Sequence, residues 1–289
     1  MPERQKTALI TGASSGIGFA TAIEFAKRGY KVYAVARRLE PMQELKDKYG
    51  ITIFKLDVSS LDSVKEAKKF LTEDTSGYLD VLFNNAGQSC TFPAIDVTDE
   101  WFTQCFEVNV FGPMRLVREL APLLINAKGV IGFTGSVSGL VPFPFSCTYS
   151  STKAAIHQYA ATLRLEMKPF GVRVINVITG AVKSDIEDKR PLPATSIWKI
   201  PEIEEALVLR RQMAKRNNPM EADVYAKKVA DDFEYSSALN VYRGTKASYL
   251  GHLLEWCPRF IVEWGLIRQF KLGDVYRILS EKYSKEHID

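Results

Sequence analysis

Ser136, Tyr149 and Lys153 offer a hydroxyl, a phenol and an ammonium in one stretch of chain. Together these are the parts needed to reduce a carbonyl with a nicotinamide cofactor. Tyr149 and Lys153 stand four residues apart, so a helix begun near this point presents both on one face. A cation beside a phenol favours the phenolate, which lets this very weak acid exchange a proton nearer neutral pH. Ser136 comes from an earlier loop and can hydrogen-bond the substrate oxygen. Taken singly these residues are ordinary, since Tyr-x-x-x-Lys is more often a surface helix pair and a loop serine more often a cap. Their order after a glycine-rich loop favours the chemical reading.

That loop is Thr11-Gly12-Ala13-Ser14-Ser15-Gly16-Ile17-Gly18, directly after an apolar run. Small residues there let backbone N–H groups and a helix N-terminus approach a pyrophosphate without a Cβ collision. The spacing differs from the generic three-glycine fingerprint, but the preceding strand, the following helix and the downstream Asn84-Asn85-Ala86-Gly87 support a nucleotide-binding reading. After the second apolar run come Arg37 and Arg38, where an acidic residue would otherwise meet the ribose diol of NAD. Two guanidinium groups favour a ribose phosphate, so the expected cofactor is NADPH/NADP+. A merely solvated basic loop is the bland alternative. Gly12-Ala13-Ser14-Ser15-Gly16 also satisfies the Gly-x-Ser-x-Gly pattern of serine hydrolases, but no credible ordered acid and base accompany it among His157, His252 and His287.

These motifs resemble the short-chain dehydrogenase/reductase family. The resemblance implies that Ser14, Ser15 and Ile17 sit at the phosphate loop, Asp57 and Val58 beside the adenine, and Asn84, Ala86 and Gly87 at a strand end that serves sheet stability and cofactor contact. It further implies that Asn109, in Glu107-Val108-Asn109-Val110, supports a water-and-lysine proton relay. Tyr149 and Lys153 would touch the cofactor as well as the substrate. Gly180 would provide a close turn on the nicotinamide side, with Val182 and Ser184 contacting the ring and its carboxamide. This chain has Thr179-Gly180 where the family often has Pro-Gly, which predicts a less rigid backbone there. No metal site is expected.

The runs Gly87–Pro93, Phe143-Pro144-Phe145 and Asp188-Lys189-Arg190-Pro191 resemble fungal members of that family more closely, and this resemblance extends from Thr7 to about Lys271. It implies reduction of an acylated, phosphorylated ketone in glycerolipid synthesis, at the cytosolic face of the endoplasmic reticulum and the lipid droplet. Lys189, Arg190, Arg210, Arg211, Lys215 and Arg216 are candidates for attracting the phosphate, although most could be solvated helix charges. The alternatives are an NADPH-dependent retinoid or hydroxysteroid reductase, an acylglycerol lipase, and a non-catalytic lipid-droplet protein.

The elements that must position these groups follow from periodicity. At 289 residues, 46% hydrophobic and 25% charged, the chain can bury a full α/β core. Strands are predicted at Thr7–Thr11, Lys31–Ala36, Ile51–Lys55, Leu79–Asn84, Val130–Ser136 and Val172–Ile178, with a further one around Ala238–Arg243. Helical patterns fall at Gly16–Arg28, Leu61–Leu71, Thr98–Asn126 and Ser150–Lys168. Their alternation argues for a Rossmann-like, doubly wound parallel sheet over residues 1–245. Residues 183–228, with four prolines, read as a substrate-side insertion with short helices rather than another βαβ unit. Residues 246–289 form an apolar C-terminal extension.

The 24 uncharged residues between Lys128 and Lys153 are too interrupted by Pro, Gly and Ser to suggest a span. Tyr249–Phe270 is rich in Leu, Trp and Phe but broken by charges. It reads as an interfacial segment meeting a lipid surface, a lid, or a subunit contact in a homo-oligomer. Four scattered cysteines without a leading signal peptide fit a reducing compartment. The net charge of +4 is mild and gives no reason to expect nucleic acid.

Overall fold

The computed structural model describes residues 4–184 and 186–285. Short apolar strands, buried on both faces, build a sheet that must be covered on both sides. Among the described residues the order is β1 (Thr7–Thr11), α1 (Gly16–Lys27), β2 (Lys31–Ala36), α2 (Gln43–Tyr49), β3 (Thr52–Lys55), α3 (Leu61–Asp74), β4 (Val81–Asn84) and α4 (Asp99–Phe106). A π-helical turn (Glu107–Phe111) then leads into α5 (Gly112–Ala127), β5 (Val130–Thr134), α6 (Cys147–Met167) and β6 (Arg173–Thr179). After these come α7 (Pro201–Arg211), α8 (Met213–Arg216), α9 (Ala222–Tyr235), β7 (Asn240–Arg243), α10 (Ala247–Trp256), α11 (Arg259–Gln269) and α12 (Leu272–Lys285).

All pairings in the seven-stranded sheet are parallel, in the order β3-β2-β1-β4-β5-β6-β7. The chain reverses its direction of growth between β1 and β4, and the crevice beyond the carboxyl ends there is where such sheets bind ligands. On one face Leu9, Tyr33, Leu82 and Ile131 pack with α3, α5 and α6 through Leu71, Leu116, Leu120, Ile156 and Leu163. On the other, Ile10, Ala34, Phe83 and Val177 pack with α1 and α9 through Phe25, Tyr225, Val229 and Phe233.

Two expectations need correction. The pattern over Thr98–Asn126 is not one regular helix, because Glu107–Phe111 inserts a π turn. Pro113, just beyond it, has no N–H to give the carbonyl of Asn109, so regular α bonding fails at that step. The insertion also stops earlier than residue 228. Ala222–Tyr235 is the crossover helix between β6 and β7, and it packs along α1. Its buried face, Tyr225, Ala226, Val229, Ala230 and Phe233, is a helical stripe diluted by charged residues on the other face.

The insertion and the C-terminal extension share a third core above the sheet end. Ile203, Ala206 and Leu207 of α7 meet Val262 and Leu266 of α11 and Phe270, Leu272 and Val275 beyond, over Phe92, Phe143 and Phe145. Among the described residues no helix is long and apolar enough to cross a membrane. Residues 286–289 of the extension, with His287, lie outside the described residues.

Candidate active site

The cleft at the switch point has a volume of about 860 Å³ and runs from the glycine loop, past the α6 residues, to the C-terminal helices. At its floor Gly12 and Gly16 adopt φ of +67° and +54°, conformations that side chains rarely take. A Cβ on Gly12 would lie 2.8 Å from Ala86 Cα, so the strand ends approach too closely for any larger residue. Thr11 ties those ends together, its hydroxyl accepting from the N–H groups of Asn85 and Ala86 and donating to Phe83 O. Backbone cradles of this kind fit a pyrophosphate, with Ser14, Ser15 and Ile17 also on the wall.

Two expected cofactor contacts act differently. Gly18 is buried off the wall. A Cβ there would meet Gly12 O at 2.4 Å and Asn85 Nδ2 at 2.6 Å, so Gly18 serves the packing of α1 beneath the loop. Asn84 belongs to the sheet, donating to Gly132 O at 3.2 Å. Its neighbour Asn85 faces the cleft, donates to Thr11 O at 3.0 Å and accepts from the Thr134 hydroxyl at 3.1 Å.

Arg37 and Arg38 are exposed on the cleft rim at the end of β2. Asp57 lines the same end with Val58. Burial alone would raise its carboxyl pKa, but hydrogen bonds from Ser59 and the charges of Arg37 and Lys55 hold it below the usual range. Across the cleft Ala86, Gly87, Gly180, Val182 and Ser184 line the wall.

Thr179 does not loosen the backbone as expected. It ends β6, donates its N–H to Gly135 O at 3.4 Å, and shares a 2.7 Å hydrogen bond with the hydroxyl of Tyr225. A proline could make neither bond.

Midway along the cleft, Ser136, Tyr149 and Lys153 come together on the wall. Burial raises the Tyr149 phenol, against the opposing pull of the Ser136 hydroxyl and the Arg210 guanidinium. Lys153 is itself brought down to about 8 by burial. Its ammonium donates to Thr134 O at 2.8 Å, 5.6 Å from the tyrosine ring centre. Arg210 is thus a cation that acts on the phenol, a role the sequence had assigned to Lys153 alone.

Asn109 sits behind the wall in the π turn, 2% exposed. It accepts from Gln88 N at 2.9 Å and donates to Gln88 O and to the Thr152 hydroxyl, both at 3.0 Å.

His157 was missed as a site residue. Its Nε2 accepts from the backbone N–H of Ser136 at 3.1 Å, and burial lowers its pKa to about 4, so the ring is the neutral acceptor that Ser136 needs. The readable signal was Gly135 and Gly139, since a Cβ on either would strike this imidazole at 2.8 and 2.7 Å. With His157 beneath Ser136 and His252 paired to Glu255, both described histidines are engaged away from Ser14.

The candidate phosphate cations separate sharply. Arg190 is a structural pin: it pairs with buried Asp188, which also accepts from Thr91 N, and its guanidinium lies over Phe92 and Trp101. Lys215 pairs with Glu187 at 2.5 Å. Lys189 and Arg216 are exposed. Arg210 is only 8% exposed, lines the cleft and donates to Ser146 Oγ. Arg211 lines it too and donates to Arg190 O at 2.7 Å.

The family model described as short chain dehydrogenase matches residues 6–193. The chain is 52% identical over 283 residues to the NADPH-dependent 1-acyldihydroxyacetone phosphate reductase of Saccharomyces cerevisiae, covering 96% of this chain and 95% of that protein. Among solved structures it is similar to a short-chain dehydrogenase from Streptomyces avermitilis, with a TM-score of 0.77, 28% identity and coverage of 94% and 99%. It is also similar to an alcohol dehydrogenase from Thermococcus sibiricus solved with 5-hydroxy-NADP, with a TM-score of 0.68, 25% identity and coverage of 84% and 97%.

Proposed function

Because this chain belongs to the short-chain dehydrogenase family and is an NADP(H)-dependent reductase of a ketone, we propose that the ketone is that of 1-acyldihydroxyacetone phosphate, reduced to 1-acylglycerol 3-phosphate for phosphatidate synthesis. The observation that carries this reading is the 52% identity to the yeast reductase across nearly the whole of both chains. The cleft supports it. Beyond Tyr149 the wall continues through Leu250, Leu253, Ile261, Val262 and Leu266, an apolar path suited to an acyl chain.

The residues divide the work. The backbone around Gly12 and Gly16 holds the pyrophosphate, and Arg37 with Arg38 holds the ribose phosphate. NADPH supplies hydride when bound. Tyr149 gives its phenolic proton to the ketone oxygen while Ser136 hydrogen-bonds that oxygen. Lys153 orients the ribose, and Asn109 keeps the wall at Gln88 in place and supports return of the proton to Tyr149.

The same reading puts the enzyme on a lipid surface, at the cytosolic face of the endoplasmic reticulum and the lipid droplet. Tyr249, Trp256, Phe260 and Trp264 support this, being 61–84% exposed on the two helices that also line the cleft.

The test is a set of initial rates at saturating NADPH, comparing 1-acyldihydroxyacetone phosphate with its dephosphorylated counterpart, retinal and rigid steroid ketones, all below their aggregation thresholds. The acylated phosphate should show the highest kcat/KM. Preference for retinal or a steroid ketone would replace this reading with a retinoid or steroid reductase.

A further inference from the structure

We infer that Arg210 is the head-group clamp of this cleft, a buried guanidinium that takes the substrate's phosphate monoester directly beside the carbonyl. The inference rests on the acylated phosphate reading above and goes further by naming the group that recognises the phosphate.

Three observations converge on it. Arg210 is more than nine-tenths buried, yet among the described residues no carboxylate pairs with it. Among the described residues its one hydrogen-bond partner is the neutral hydroxyl of Ser146, its Nε is buried without a partner, and its guanidinium lies over the face of Phe143, 5.3 Å away. A buried charge is normally paired, so a guanidinium held in place with spare donors and no counter-ion is a site awaiting an anion. Its planar fork of N–H groups matches phosphate oxygens in pairs.

Position is the second observation. Ser146 is the N-cap residue of α6, and Tyr149 follows three residues later on the same helix. Arg210 is therefore anchored one turn from the phenol, close enough for each charge to act on the other.

The third is the shape of the substrate. Only three single bonds separate the ketone carbon from phosphorus in a dihydroxyacetone phosphate ester. A phosphate bound at the rim could not leave its ketone at Tyr149, which excludes exposed Lys189 and Arg216 as direct ligands. Arg190 and Lys215 already serve Asp188 and Glu187. Arg211, next along α7 with its own Nε buried and unpartnered, is placed to add a second donor.

The experiment uses the full chain with saturating NADPH, which fills the ribose-phosphate region. It measures kcat/KM for the acylated phosphate and for its dephosphorylated counterpart, and inhibition by inorganic phosphate. In the starting protein the phosphorylated ketone should be preferred, and inorganic phosphate should compete with it. Arg210→Met should cut that preference by about 100-fold and abolish the competition, while NADPH binding measured by fluorescence persists; Arg210→Lys should restore part of the preference.

A preference that survives Arg210→Met, or an equal loss on both ketones, would overturn the clamp and leave the substrate reading standing. No preference in the starting protein would overturn the substrate reading and the clamp with it. If Arg210→Met no longer binds NADPH, Ser146→Ala carries the same comparison, since it loosens the guanidinium without deleting it. It should lower the preference several-fold, and an unchanged ratio would overturn the clamp.

Discussion

Two pairs of adjacent arginines face one cleft from opposite ends, and they differ in what surrounds them. Arg37 and Arg38 stand in solvent at the end of β2, where their charge reaches outward and is screened by salt. Arg210 and Arg211 end α7 under the C-terminal helices, with Arg210 almost wholly out of water. Both pairs suit a phosphate, but an exposed pair supplies steering and a modest affinity, whereas a buried one supplies discrimination, because leaving it unpaired is costly. The same chemistry thus yields cofactor preference at one end and substrate recognition at the other.

The largest effect should come from the group between the two ends. Tyr149→Phe keeps the ring and deletes the proton, so ketone reduction should fall about 1000-fold, with NADPH affinity changed by less than about threefold. Steady-state rates and fluorescence titration check this. Near-normal turnover would remove the phenol from its role and with it the centre around which the two ends are compared.

The middle of the cleft should carry its own pH signature. His157 has a pKa of about 4 in the fold, below the ordinary value, so the unfolded chain takes up a proton that the folded one refuses. Stability is therefore complete above about pH 6.5 and falls as the pH drops toward 4, by about 2 kcal/mol once the ring's partial exposure is allowed for. Urea midpoints at pH 7 and 4.5 should move less in His157→Gln than in the starting protein. An equal shift in both would show that other groups cause the acid sensitivity.

At the open end, replacing Arg37 and Arg38 together by alanine should raise the Kd for NADPH about tenfold and leave NADH within about twofold. Equal weakening of both cofactors would assign the pair to general steering instead of the ribose phosphate. The smallest effect sharpens the comparison most directly: raising NaCl from about 50 to 500 mM should increase the KM for NADPH about threefold, while the ratio of phosphorylated to dephosphorylated ketone efficiencies stays nearly constant. A ratio that falls as steeply would mean that the substrate's phosphate is also held in solvent.

Much of this was legible in the chain. Parallel strands buried on both faces leave dense apolar runs, so β1, β2 and β5 could be placed to within a few residues. The glycine loop and the Tyr149 and Lys153 pair were readable because their spacing is local. Asn84 was mistaken for Asn85 because successive strand residues point to opposite sides and nothing in the pair Asn-Asn says which faces the crevice. The stripe of α9 was hidden by its charged opposite face. Arg210 could not be told from five other cations nearby, since its burial depends on α7 meeting Ser146 and Phe143, segments that carry no pattern in common with it.

The π turn at Glu107–Phe111 separates the packing of this helix from the presentation of Asn109. It accommodates one more residue per turn than an α-helix at the point where Asn109 meets Gln88. Losing one residue there would let the helix close into regular geometry with everything after it close to its present phase, since the extra residue is what the wide turn absorbs. Leu116, Leu120 and Leu124 would then still cover the sheet, while Asn109 would lose its place against Gln88. A single-residue deletion here is thus expected to spare the packing and cost the position of Asn109, so the irregularity serves the site rather than the core.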